Sequence, residues 1–151
     1  MKYTIDVTIE LPREEVIIKM DNADNMKHWQ QGLVSYEHIS GTPGEIGAKM
    51  QLNYKMGKRE FNLIETITKN RFPEEFNATY TAKGMHNVQE NSFEETQEGF
   101  TKWVSKCEFI PSGFMMRAMA FLMPGAFKKQ SRKYMIDFKN FAEKGTSVAD
   151  A

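Results

Sequence analysis

Few residues in this chain are of a type that does chemistry. There are three histidines, His28, His38 and His86, and one cysteine, Cys107. His38 shares an alternating phase with Val34 and Tyr36, which gives it two readings. It could move a proton or orient a ligand carbonyl, with Tyr36 and Tyr54 as further proton-transfer candidates, or it could be a hydrogen-bonded rim residue. His28 lies beside Trp29 and reads as a helix-end residue, and His86 follows Gly84-Met85 and reads as solvated. No two histidines have the close spacing of a zinc site, so neither a metal nor a cofactor is expected. Of the carboxylates, Glu65 and Glu90 are the ones able to face inward, and neither has an evident partner for paired acid–base work. No Gly-x-Ser-x-Gly elbow occurs. Gly41, Gly44 and Gly47 flank Pro43 and read as a turn rather than a phosphate cradle. A lone Cys107 excludes an intramolecular disulfide and a multi-cysteine metal site, and it reads as a small hydrophobe on a strand.

These residues sit on elements that the apolar periodicity outlines. Tyr3, Ile5, Val7 and Ile9 alternate with polar residues, the pattern of a half-buried strand. Pro12 then opens a helix with Glu14 and Glu15 in its first turn and Val16, Ile17 and Met20 as its apolar stripe. A second short helix covers Ala23 to Trp29. Six strand-like runs follow, separated by Gly- and Pro-marked turns, which predicts an antiparallel meander. In the run Arg59 to Lys69 either Phe61, Leu63, Glu65 and Ile67 face inward or Asn62, Ile64, Thr66 and Thr68 do. The run His86 to Thr96 is polar in both phases, with Phe93 as its large apolar residue.

The last forty residues carry a different pattern. At 100° per residue Met116, Met119, Ala120, Met123, Phe127, Tyr134, Phe138 and Phe141 fall on one arc, opposite Arg117, Lys128, Arg132 and Lys139. The phase runs through Pro124, which predicts one long helix with a kink. Phe114, Met115, Phe121 and Leu122 lie off that arc. Either loops cover them, or they form a cavity gate, a homodimer contact or a membrane-touching surface.

A chain of 151 residues suits one domain, here 1–144, with a small polar tail at 145–151 expected to fray. Twenty basic and twenty acidic residues cancel, which argues against a nucleic-acid partner. The apolar run Phe114 to Met123 is about ten residues where a membrane span needs about twenty, so no stable membrane insertion is expected. With no signal-type stretch at the start, a soluble, cytoplasmic protein is the expectation.

Three local features carry a resemblance. They are the opening strand running into Leu11-Pro12-Arg13-Glu14-Glu15-Val16, the His28-Trp29 pair before a strand, and Leu122-Met123-Pro124-Gly125-Ala126-Phe127-Lys128-Lys129-Gln130-Ser131. With the element order β-α-α-β6-α, the chain resembles the SRPBCC superfamily of START-related and polyketide cyclase/dehydrase-like proteins. The resemblance implies an α+β helix-grip fold, a curved antiparallel sheet of about seven strands wrapped around a long C-terminal helix. It also implies a cavity between sheet and helix that takes a hydrophobic small molecule such as a lipid, a polyketide or a quinone, and in a minority of members a cyclisation or dehydration. The inward phases then offer Met50, Leu52, Phe76, Trp103, Met116, Met119, Met123 and Phe127 as apolar walls. Tyr36, His38, Tyr54, Tyr80, Ser105, Gln130 and Tyr134 supply the polar contacts.

Overall fold

The computed structural model describes residues 1–150; Ala151, the end of the segment expected to fray, lies outside them. The chain opens with β1 (Lys2–Ile9), α1 (Arg13–Met20), a 3₁₀ turn at Ala23–Asn25 and α2 (Met26–Trp29). Then come β2 (Leu33–Ser40), β3 (Lys49–Met56), β4 (Arg59–Arg71), β5 (Glu75–Ala82), β6 (Met85–Glu95) and β7 (Thr101–Pro111). Two helices follow, α3 (Phe114–Leu122) and α4 (Pro124–Lys144). The strands form one antiparallel sheet in the order β1-β7-β6-β5-β4-β3-β2, so the meander is as expected and β1 closes it by pairing with β7.

Register settles the ambiguous phase of β4. Leu63 stands opposite Leu52 and Ile67 opposite Ala78, both partners being buried. Cross-strand partners share a face, so Phe61, Leu63, Glu65 and Ile67 point to the concave side. In β6 the register Phe93↔Trp103 puts Asn91, Gln89 and Asn87 on that same side. Glu90, two places from Ser92 on the other phase, is exposed and is removed from the inward-facing carboxylates. Gly41 makes the β2–β3 turn at φ +79°, where a Cβ would stand 2.8 Å from the Ala48 Cα; a side chain has neither the space nor the conformation there.

One end of the concave face is filled with aromatic rings. Trp103 and Phe138 meet edge to face at 5.5 Å, Trp29 and Phe138 at 5.2 Å, and Phe93 stacks on Trp103 at 5.9 Å. Helix α4 closes that end with Met135, Phe138 and Ala142, all buried. Polar ties fix its slope across β1. Tyr3 and Ser131 share a hydrogen bond at 2.8 Å, Lys139 Nζ donates to Thr8 O at 2.6 Å, and the Glu10 N–H donates to Glu143 at 2.7 Å.

Two details correct the expected terminal helix. It is two helices, because Met123 leaves the helical region at φ −131°, ψ 61° and Pro124 opens α4 at its first position. A proline disfavours helical backbone in the residue before it and tolerates the first turn, so a break costs less than a kink. The buried stripe is also displaced from the expected arc, since Met135 and Ala142 lie inward while Met119 and Met123 are exposed. After Gly145, residues expected to fray turn back on α2, where Ser147 and His28 share a 2.8 Å hydrogen bond.

Candidate functional site

Beyond the aromatic end, the concave face carries a row of directly paired residues across six strands. It runs His38–Met50–Glu65–Tyr80–Asn87–Phe109, one residue from each of β2 to β7. Phe109 closes the row against α4 by stacking on Phe127 at 3.9 Å. Apolar neighbours on the flanking rows, Leu52 and Tyr54 on β3 and Leu63 and Phe61 on β4, surround the polar centre. A carboxyl, a phenol and an amide are thus held side by side on an apolar surface. Strand pairing rather than loop geometry positions them.

Glu65 is 9% exposed. Burial pushes its carboxyl up from the ordinary value, and the Tyr80 hydroxyl donating to it offsets only part of that. Tyr80 is raised well above its ordinary value, first by burial and then by the adjacent Glu65. Tyr54 is raised too, by burial and then by the nearness of Tyr134 and Glu65, so two phenols of the sheet lie near the carboxyl and Tyr134 of α4 lies near Tyr54. The Tyr54 hydroxyl donates to Gln30 Oε1 at 2.5 Å. Asn87 Oδ1 is buried with no hydrogen-bond partner. Burial disfavours the charged form of Glu65, Tyr80 and Tyr54 alike, and with Asn87 they offer hydrogen-bonding groups and one open acceptor.

A second polar set lies one row away. Tyr3 reaches Ser131, and its phenol is pushed up to about 12, mainly by burial. Cys107 faces the same spot, and burial pushes its thiol up, so it stays protonated and inert rather than nucleophilic. Ser105 spends its hydroxyl on Cys107 at 3.4 Å, and Trp103 donates to Asn91 Oδ1 at 3.0 Å.

The expected site residues therefore divide. Met50, Tyr54, Tyr80, Phe127 and Tyr134 form or flank the row, whereas Phe76 stacks on Phe72 at the aromatic end. Trp103 and Ser105 are packed inside the fold away from the row, and Leu52, also buried, borders the row beside Met50. Tyr36 and His38 share the concave phase but lie on the outermost strand β2, where both are exposed. Tyr36 donates to Asp24 and His38 Nε2 bonds the Gly41 carbonyl at 2.7 Å, so local contacts hold both. Gln130, Met119 and Met123 are exposed.

Helix α3 has no buried residue. Met116 is its half-buried anchor, resting on Gly84 at the β5–β6 turn, where a Cβ would meet its Cγ at 3.2 Å. The Ser112 N–H holds the same turn through the Gly84 carbonyl at 2.9 Å. Two open surface grooves lie elsewhere, near α2 and β2. One, of about 660 Å³, is bordered by Lys27, Gln31, Lys55 and Val148; the other, of about 250 Å³, by Asp24, Lys27 and Tyr36. Neither gathers buried polar groups, so the concave row is the better candidate.

No family model matches the sequence, and no curated protein matches it. Solved structures do match. The protein TTHA0849 from Thermus thermophilus superposes with TM-score 0.76 at 9% identity, over 97% of this chain and 100% of that one. The Zhui aromatase/cyclase from Streptomyces sp. R1128 does so with TM-score 0.76 at 11% identity, over 95% of this chain and 94% of that one. Ara h 8.0201 follows with TM-score 0.73 at 10% identity, over 94% of this chain and 97% of that one. The chain has the helix-grip fold. Identities this low carry the fold alone, and it is the fold that the SRPBCC resemblance implies.

Within this helix-grip sheet, sequence reasoning missed Asn87 and Gln89. The available signal was Phe93: a single buried aromatic fixes the inward phase of β6, and two-residue steps back from it reach Asn91, Gln89 and Asn87. Glu65 was visible as one of two options and Tyr80 as an inward-facing polar contact, and their pairing came only with the β4–β5 register.

Proposed function

We propose that the protein binds an uncharged, largely apolar small molecule on the concave face of the sheet, beneath α3. The observation that carries this reading is the row Glu65–Tyr80–Asn87, a carboxyl, a phenol and an amide side by side on an apolar surface, with Glu65 buried and the Asn87 acceptor unpartnered among the described residues. A buried polar atom without a partner is costly unless a ligand supplies one. A hydroxyl or enol group would donate to Asn87, and a ligand carbonyl would accept from the Glu65 carboxyl. A carboxylate or phosphate finds no cation there and would face an acid instead. The reading therefore favours polyketide-like or quinone-like molecules over fatty acids.

Mass spectrometry of freshly purified protein, native and after organic extraction, tests this. A defined uncharged apolar molecule is expected. Titration of emptied protein with 1-naphthol and 1-naphthoate gives the second readout, with the naphthol binding at least about tenfold more tightly, equivalent to roughly 1.4 kcal/mol. Empty protein that binds neither compound would remove the reading.

One observation favours a second reading, cyclase- or dehydratase-type chemistry in the same place. A carboxyl whose acidity burial weakens, set beside a phenol, is placed to serve as a general acid. Glu65 and Tyr80 then replace His38 and Tyr36 as the proton-transfer groups. Turnover lost in Glu65→Gln, with ligand affinity kept within about threefold, would establish it; a bound ligand recovered unchanged after long incubation would count against it.

A further inference from the structure

Helix α3 carries the four most exposed large apolar side chains of the described residues. Phe121 is 85% exposed, Phe114 84%, Met115 78% and Leu122 74%. Burying four such side chains in water-exposed positions needs an occupant, and the charge pattern beside them says which kind. From Phe114 to Ile136 the sequence contains Arg117, Lys128, Lys129, Arg132 and Lys133 and no Asp or Glu, in a chain whose acids and bases otherwise balance at twenty each. Arg117, Lys128, Lys129 and Arg132 are exposed, and among the described residues only Lys133 of the five meets an acid, Asp137 at 2.6 Å.

We propose that α3 and the start of α4 dock the protein on the surface of an anionic lipid bilayer. The apolar side chains of α3 enter the interfacial layer while the cations of α3 and α4 meet lipid phosphates. The helix is short, and no helix among the described residues is long and apolar enough to cross a membrane, so it lies in the interface rather than spanning it. A second copy of the chain fits less well. A twofold contact brings a patch against itself, which would set these cations against cations with no acid in the segment to pair them. An acidic lipid surface supplies both the apolar layer and the opposite charge. The inference stands apart from the ligand reading, because none of these side chains lies on the concave row.

The test is co-sedimentation of the full chain with vesicles of phosphatidylglycerol mixed with phosphatidylcholine, against phosphatidylcholine alone, at low and high salt. Pelleting with the anionic vesicles, reversed by high salt, is expected. Each cation near an anionic surface contributes roughly fivefold to partitioning. Lys128→Glu with Lys129→Glu should therefore weaken binding at least about tenfold, and Phe121→Asp with Leu122→Asp should do the same through the apolar term. All four positions are exposed, so unchanged circular dichroism and melting are expected of both variants. Failure to pellet, or equal pelleting with both vesicle types regardless of salt, would overturn the proposal. So would a dimer in light scattering that Phe121→Asp with Leu122→Asp dissolves while vesicles bind nothing.

Discussion

Two carboxyls show how position decides the sign of a side chain's contribution. Glu65 is held among Tyr80, Tyr54 and Met50 by strand register, and burial raises its carboxyl above the ordinary 4.5. The folded protein then keeps a proton that the unfolded chain releases, so stability falls as pH rises from 4.5 towards the raised value. Glu65→Gln removes that loss. Its urea midpoint should exceed the parent's in mildly alkaline buffer, and the advantage should vanish below the ordinary carboxylate value; an advantage independent of pH would show that Glu65 is already ionised. Glu143 behaves in the opposite way. Burial alone would raise it, but Lys139 Nζ at 2.5 Å and the Glu10 N–H at 2.7 Å outweigh that and lower it. Its contribution is present above 4.5 and lost as pH falls through the lowered value. Glu143→Gln should therefore cost about 1 kcal/mol at neutral pH and nothing in strong acid.

At the scale of elements, the C-terminal region is two helices with different tasks. Helix α4 is anchored by Phe138, which is fully buried between Trp29 and Trp103. Removing that ring leaves a cavity that rigid neighbours cannot close, so Phe138→Ala should cost about 3–5 kcal/mol in denaturant unfolding. Phe121, on α3, touches too little for its loss to matter to the fold, and Phe121→Ala should stay within about 0.5 kcal/mol of the parent. A comparable cost at both positions would mean that α3 packs as firmly as α4. The break at Met123–Pro124 is what separates the two: α3 rests on the sheet through Met116 at Gly84, while α4 is pinned by Tyr3, Thr8 and Glu10.

For the whole molecule, the fold puts a rigid aromatic end and a loosely covered end on one sheet. Amide exchange should follow that division, slow in β7, β1 and the second half of α4 and fast in α3, with α3 gaining protection when ligand or vesicles are added. Protection of α3 equal to that of α4 in the free protein would contradict the division. Local pattern outlined the strands and the two short helices, because two-residue alternation and glycine-marked turns repeat along the chain, while the phases of Arg59–Lys69 and His86–Thr96 stayed open and the pairing of β1 with β7 is a matter of tertiary structure. The pattern also placed Tyr54, Tyr80 and Met50 on the inward phase. Register was decided only in three dimensions. Whether Glu65 or Thr66 faces inward depends on which partner Ile67 finds, and a one-residue slip would exchange every side chain of β4 between the two faces. The exposure of Tyr36 and His38 likewise comes from β2 ending the sheet, a matter of strand order that their own alternation cannot contain. The convergence of Glu65, Tyr80 and Asn87 from three strands was also tertiary, since groups that distant in sequence meet only when pairing brings their strands together.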